Sequence, residues 1–154
     1  MIFFFFCSGQ VDAINRLSTH YRLIPLTNMD HASYARTLSG PLAGCAQAFT
    51  TSYLAEDIGS YKPSLGNFAY LLDHLKADYG IEKEQVCHVA QSLFHDHGAT
   101  REVGLRSLWV DRYGVLQGMM NEGRGGEDVK EEFGMEGRVR GLGELADLVE
   151  GALK

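Results

Sequence analysis

Residues 85–112, QVCHVAQSLFHDHGATREVGLRSLWVDR, constrain the fold more than any other stretch of the chain. The apolar run Val86–Ala90 reads as a strand, a polar loop leads to Asp96, residues 99–104 read as a helix, and Ser107–Val110 reads as a second strand. Two apolar strands joined by a helix point to a right-handed βαβ unit, because parallel neighbours need a crossover connection. Uninterrupted apolar strands also suit a sheet covered on both faces. In such a unit Asp96 stands just past the carboxyl end of a parallel strand, where carboxylates that do chemistry in α/β proteins are found.

The same alternation runs through the rest of the chain. Ile2–Phe6 reads as a strand, and Val11–Tyr21 as a helix with Val11, Ile14 and Leu17 on one face. Arg22–Leu26 reads as a strand, with Thr27-Asn28 opening the loop after it; Ala32–Leu38 reads as a helix and Ala48–Thr51 as a short strand. Ser64–Tyr79 is the clearest helix, with Leu65, Phe68, Leu71, Leu72, Leu75 and Tyr79 in one apolar stripe, Pro63 at its entry and Gly80 at its exit. Residues 114–141 are rich in glycine and charge and have little periodicity, which predicts a surface excursion that is disordered in part. Leu142–Leu153 returns to a helical pattern through Leu142, Leu145, Leu148, Val149 and Ala152. The expectation is one α/β domain over residues 1–154 with a parallel sheet, without internal repeats.

Charge and composition narrow the function classes. A net charge of -6 offers no electrostatic footprint for nucleic acid or for an anionic membrane. The opening MIFFFFCSG is apolar only from Ile2 to Cys7, too short to span a bilayer and without a basic leader, so it reads as a buried strand. Cys7, Cys45 and Cys87 are scattered and odd in number, which predicts reduced thiols and a cytoplasmic setting.

Three polar clusters could carry chemistry. Thr27-Asn28 supplies a hydroxyl, an amide and backbone N–H groups beyond a strand, able to bind an anion or simply to form a turn. In Tyr61-Lys62-Pro63-Ser64 the proline keeps Lys62 outside the following helix, beside its positive N-terminus; the ordinary alternative is a solvated lysine. Gln91-Ser92-Leu93-Phe94-His95-Asp96-His97 raises a metal reading with His88 nearby, but alternating residues on a loop give poor geometry for one ion and no Cys or Glu completes a set, so no metal is expected there. Asp96 could equally cap the helix that follows.

In this order and spacing the clusters resemble the haloacid dehalogenase (HAD) superfamily of hydrolases, and within it the type II 2-haloacid dehalogenase-like branch. Leu23-Ile24-Pro25-Leu26-Thr27-Asn28 resembles the second motif of that family, Glu56-Asp57-Ile58-Gly59-Ser60-Tyr61-Lys62-Pro63 the third, and His88-Val89-Ala90-Gln91-Ser92 through Asp96 the fourth. Leu108-Trp109-Val110-Asp111-Arg112 and Leu142-Gly143-Glu144-Leu145-Ala146-Asp147 are similar to its closing strand and last helix. The likeness covers roughly residues 11–112 and 138–150.

The resemblance implies a three-layer Rossmann-like core with a parallel sheet. It implies a small anionic substrate and hydrolytic displacement through an aspartyl ester, the nucleophile being an aspartate at a strand end. Lys62 and Asp96 would be the catalytic residues at hand, Lys62 balancing the nucleophile's charge and Asp96 serving as the late acid; Thr27, Asn28 and Ser92 would bind the substrate's anionic group. No cofactor is implied, with magnesium only for a phosphatase-like member, and Gln91 stands where many phosphatases carry an acid. The family's first motif is an apolar strand ending in DxxG[TV] that comes before the cap; this chain begins near the helix that leads into the second motif, no DxxGT or DxDGT occurs in it, and the cap is expected to be missing. The expectation is therefore a truncated chain of impaired activity, or an inactive module that binds an anion or a partner. The strand Ile2–Phe6 is expected to fill the nucleophile strand's place in the sheet, with Cys7 or Ser8 near the nucleophile position. A site without its cap is expected to be open and shallow, and apolar surface left bare favours a homodimer.

Overall fold

A computed structural model describes residues 9–112 and 126–154. The strand expected at Ile2–Phe6 and residues 114–125 of the expected excursion lie outside these. Helix α1, Gln10–Ser18, presents Ala13, Ile14 and Leu17 to the core. It ends before the expected Tyr21, because the hydroxyls of Ser18 and Thr19 bond back to the carbonyls of Asn15 and Arg16 and compete with helix propagation.

The expected strand Arg22–Leu26 is split. Leu23 makes an isolated parallel bridge to Phe49, and the regular strand β1 is Leu26–Thr27. Pro25 lies between them; it has no N–H for a ladder, though its carbonyl accepts from Tyr53 N at 2.8 Å. Helix α2, His31–Ser39, is capped by Asp30, whose carboxylate accepts from Ser33 N at 2.6 Å. The short strand expected at Ala48–Thr51 is displaced: Ala43–Ala48 forms a 3-10 helix, and β2 is Tyr53–Leu54, parallel to β1 with Leu26 facing Tyr53 and Thr27 facing Leu54.

After β2 come the single turn α3, Ala55–Ile58, and the long helix α4, Leu65–Tyr79, which ends at Gly80 with φ 64°. Strand β3, Cys87–Ala90, leads through a π-helical turn over Leu93–His97 into α5, Gly98–Glu102. Strand β4, Arg106–Val110, pairs parallel with β3, Val89 facing Leu108. The reading of 114–141 as a surface excursion is corrected in its second half. Gly126–Phe133 is helix α6, and Gly137–Val139 is strand β5, parallel to β4. Val129, Met135 and Val139 are buried, the first two against Trp109. Glycine and charge around them conceal three well-spaced apolar contacts. Helix α7, Leu142–Ala152, closes the chain.

The described strands form a β1–β2 pair and a sheet in the order β3–β4–β5, all parallel. Two apolar clusters cover them. One joins α1 and α7 to Leu23, Val89, Val110 and Val139; the other joins α4 and α5 to Ile24, Leu26, Tyr53 and Val86. Helices on both faces of a parallel sheet make a three-layer, Rossmann-like α/β core. Among the described residues there is no second folded unit of the cap type, and no helix is long and apolar enough to cross a membrane.

Candidate active site at the carboxyl ends of β1 and β3

Three segments distant in sequence meet at the strand ends. The first is Thr27-Asn28, at the end of β1. Thr27 is buried and its Oγ1 accepts from Met29 N at 3.1 Å. Asn28 uses its amide like a strand backbone: Oδ1 accepts from Lys62 N at 2.7 Å and Nδ2 donates to Lys62 O at 3.0 Å. The residue expected to contact substrate therefore clamps the main chain of the expected lysine.

The second segment is the turn between α3 and α4. Buried Asn67 on α4 braces it, accepting from Ser60 Oγ at 2.6 Å and donating to Ser60 O at 3.0 Å. The Lys62–Pro63 peptide is cis. Lys62 is not the solvated lysine of the ordinary alternative. Its Nζ donates to Asp96 Oδ1 at 2.6 Å, and both side chains are only 5% exposed.

The third segment is the π-helical turn that carries Asp96. Such insertions recur at functional sites because they re-aim side chains. Asp96 is not a helix cap; Ser92 caps the turn, accepting from His95 N at 3.0 Å. Ser92 is thus placed beside the site, with its oxygen engaged in that cap. His97 pins the turn to the sheet, donating from Nε2 to Ala90 O at 3.0 Å and accepting at Nδ1 from Ser107 Oγ at 3.1 Å. Burial pushes the His97 imidazole down to about 4, against the raising effect of the Ala90 carbonyl.

Sequence reasoning weighed His88 only as a metal ligand and missed its actual contact. Its Nε2 lies 2.9 Å from Asp96 Oδ1, the oxygen that also receives Lys62. The two residues are separated by a strand end and a turn, so no spacing rule signals the pair. Burial drives the His88 pKa down, outweighing the nearby carboxylate, and leaves the imidazole neutral near pH 7. For Asp96 burial favours the protonated form, but the His88 hydrogen bond and the Lys62 ammonium together outweigh it and hold the carboxyl well below the usual range. The site is a buried ammonium–carboxylate pair with a neutral imidazole as the second donor.

Asp111 is another carboxylate just past a strand. Arg138 on β5 holds its Oδ2 through both Nε and Nη2, which staples β4 to β5. His88 and His97 are committed to hydrogen bonds and His95 is exposed, so the three histidines do not converge. No group of three acidic, imidazole or thiol ligands that could hold a metal ion occurs among the described residues.

No family model matches the chain, and no curated protein matches it by sequence. Solved structures do. A HAD-hydrolase from Bacillus subtilis bound to magnesium superposes with a TM-score of 0.71 at 20% identity, over 93% of this chain and 54% of that one. The L-2-haloacid dehalogenase from Xanthobacter autotrophicus with chloropropionic acid covalently bound gives 0.66 at 18% identity, over 94% and 60%. A HAD phosphatase from Thermococcus onnurineus gives 0.66 at 20%, over 93% and 57%. The chain thus spans little more than half the length of the structures it resembles. The order of the strands, the two helical layers and these superpositions agree that the chain carries the core fold of the haloacid dehalogenase-like hydrolases.

Proposed function

We propose that this core holds the anion-binding and late-acid part of a hydrolase site related to the 2-haloacid dehalogenases. The observation that carries the reading is the Lys62 Nζ–Asp96 Oδ1 contact of 2.6 Å, with both groups buried at the strand ends. Burying an ion pair is costly and is often neutral or unfavourable for stability, so its position beside the strand ends argues for use in chemistry. The substrate is a small anion. Thr27 donates its hydroxyl to it, Lys62 balances the negative charge, and Asn28 and Ser92 shape the loops around it. Where a strand-end aspartate completes such a site, its carboxylate would displace the leaving group to form an aspartyl ester, and Asp96 would orient the water that hydrolyses that ester and returns the aspartate. The sequence contains no DxxGT nucleophile motif, and turnover by the chain alone is accordingly impaired.

A second reading, an inactive module that binds an anion or a partner, is favoured by that same missing motif and by exposed Tyr61 and Phe94 beside the buried pair. The full chain should be offered 2-haloacids and phosphomonoesters with and without magnesium, following halide and phosphate release and, separately, ligand binding. Halide release lost in both Lys62→Ala and Asp96→Asn supports the hydrolase. Saturable binding without release supports the inactive module, and neither binding nor release contradicts both.

A further inference from the structure

The buried polar group that the proposed chemistry leaves unused is His88. It lies on β3 with no exposed surface, its ring edge-on to Phe68 at 5.3 Å between centroids. An apolar side chain would fill that place without burying two nitrogens. Its hydrogen-bonding pattern is unambiguous. Nε2 faces the Asp96 carboxylate at 2.9 Å, while Nδ1 is buried with no partner among the described residues. A proton on Nδ1 would leave a buried donor unsatisfied and turn the Nε2 lone pair toward a carboxylate oxygen. The Nε2–H tautomer satisfies the carboxylate and leaves only a bare acceptor at Nδ1.

Both donors, Lys62 Nζ and His88 Nε2–H, converge on Oδ1 of Asp96. Oδ2 accepts no hydrogen bond from the described residues, yet it is not among the buried polar atoms left without a partner. Its lone pairs are therefore not engaged by those residues. A carboxylate held by one long lysine alone could rotate and exchange its oxygens. A second donor, rigidly mounted on a strand, removes that freedom.

We propose that His88 is a positioning residue: its Nε2–H, with Lys62, fixes Asp96 through Oδ1 so that Oδ2 is the oxygen offered to the substrate or its attacking water. The inference rests on Asp96 being the late acid of the proposed site, but its test requires no turnover.

Two substitutions separate positioning from packing. His88→Phe keeps a ring against Phe68 and removes the donor; His88→Gln removes the ring and keeps an N–H near the Nε2 position. The readouts are the NMR signal of the Lys62 ammonium, its hydrogen exchange with water, and the Asp96 side-chain conformation in crystals of each variant. Positioning predicts Lys62 exchange at least tenfold faster and a rotated Asp96 in His88→Phe, with both restored in His88→Gln. The reverse pattern, Phe retaining and Gln losing the arrangement, makes His88 a packing residue and overturns the proposal. Should His88→Phe not fold, 15N-histidine spectra of the unsubstituted chain decide: a neutral Nε2–H imidazole from pH 6 to 8 supports the proposal, and an Nδ1–H or charged imidazole overturns it. Absence of ligand binding in the hydrolysis and binding assays would remove the hydrolase reading and leave these outcomes unaffected.

Discussion

Lys62 and Asp96 show what burial does to a charged pair. With Lys62 replaced by Met, the Asp96 carboxylate keeps, among the described residues, a neutral imidazole as its side-chain partner in the protein interior. Removing one partner of a buried pair costs about 3–5 kcal/mol, whereas replacing both with apolar groups of similar size is often neutral. Urea unfolding should therefore show Lys62→Met strongly destabilised and the double variant Lys62→Met/Asp96→Leu recovering most of the loss; additive losses would mean that the two charges are not coupled. The histidines set the acid limit. His88 and His97 have folded-state pKa values below the ordinary imidazole value, about 4 for His97, so the unfolded chain binds more protons than the folded one as pH falls. Stability from His97 is complete above about pH 6.5 and is lost from there down toward pH 4, and His88, also depressed, adds a loss that begins in the same range. Asp96, also depressed, adds its loss at lower pH still, beginning near the ordinary carboxyl value. A His97→Gln variant should flatten the stability profile between pH 6.5 and 4 in urea titrations, because its side chain does not titrate.

Among the elements, those announced by periodicity emerged where expected. In α4 the expected stripe is buried at Phe68, Leu71 and Leu75 while Leu65, in its first turn, is 42% exposed, and the runs that become β3 and β4 state their burial in the side chains themselves. Thr27, Lys62 and Asp96 were also legible, because their order and spacing resemble those of known motifs. What was hidden depends on tertiary contact. The π-helical turn cannot be read locally, since its reason is the attachment of His97 to Ala90 and Ser107. Asn28 looked like a substrate ligand, and only the fold reveals that the Lys62 main chain occupies its amide. Helix α6 and strand β5 were missed because their glycine-rich setting dilutes the apolar signal from Val129, Phe133 and Met135. These residues pack around Trp109, the chain's single tryptophan, whose Nε1 donates to Gln91 O at 3.1 Å. Met135→Ala should cost about 2–5 kcal/mol and shift Trp109 fluorescence to longer wavelength. An unchanged spectrum would mean that Met135 does not cover Trp109.

On the scale of the molecule, β1–β2 and β3–β4–β5 are two parallel groups held in register by shared helical layers, and the charged pair bridges their carboxyl ends. Around that bridge Tyr61 and Phe94 are 67% and 63% exposed. Exposed aromatic side chains at such a place can contribute to association if they form one patch. In the homodimer reading, Phe94→Ser should lower the average mass seen by light scattering at high concentration, and no concentration dependence in the unsubstituted chain would dismiss it. The central claim, that the buried pair belongs to an anion-binding hydrolase site, is tested most directly by calorimetric titration of 2-chloropropionate into the full chain and into Lys62→Met, each at a temperature where circular dichroism shows it folded. Saturable binding by the chain and at least tenfold weaker binding by the variant are expected. Equal affinity in the two, or no binding by either, would contradict that claim.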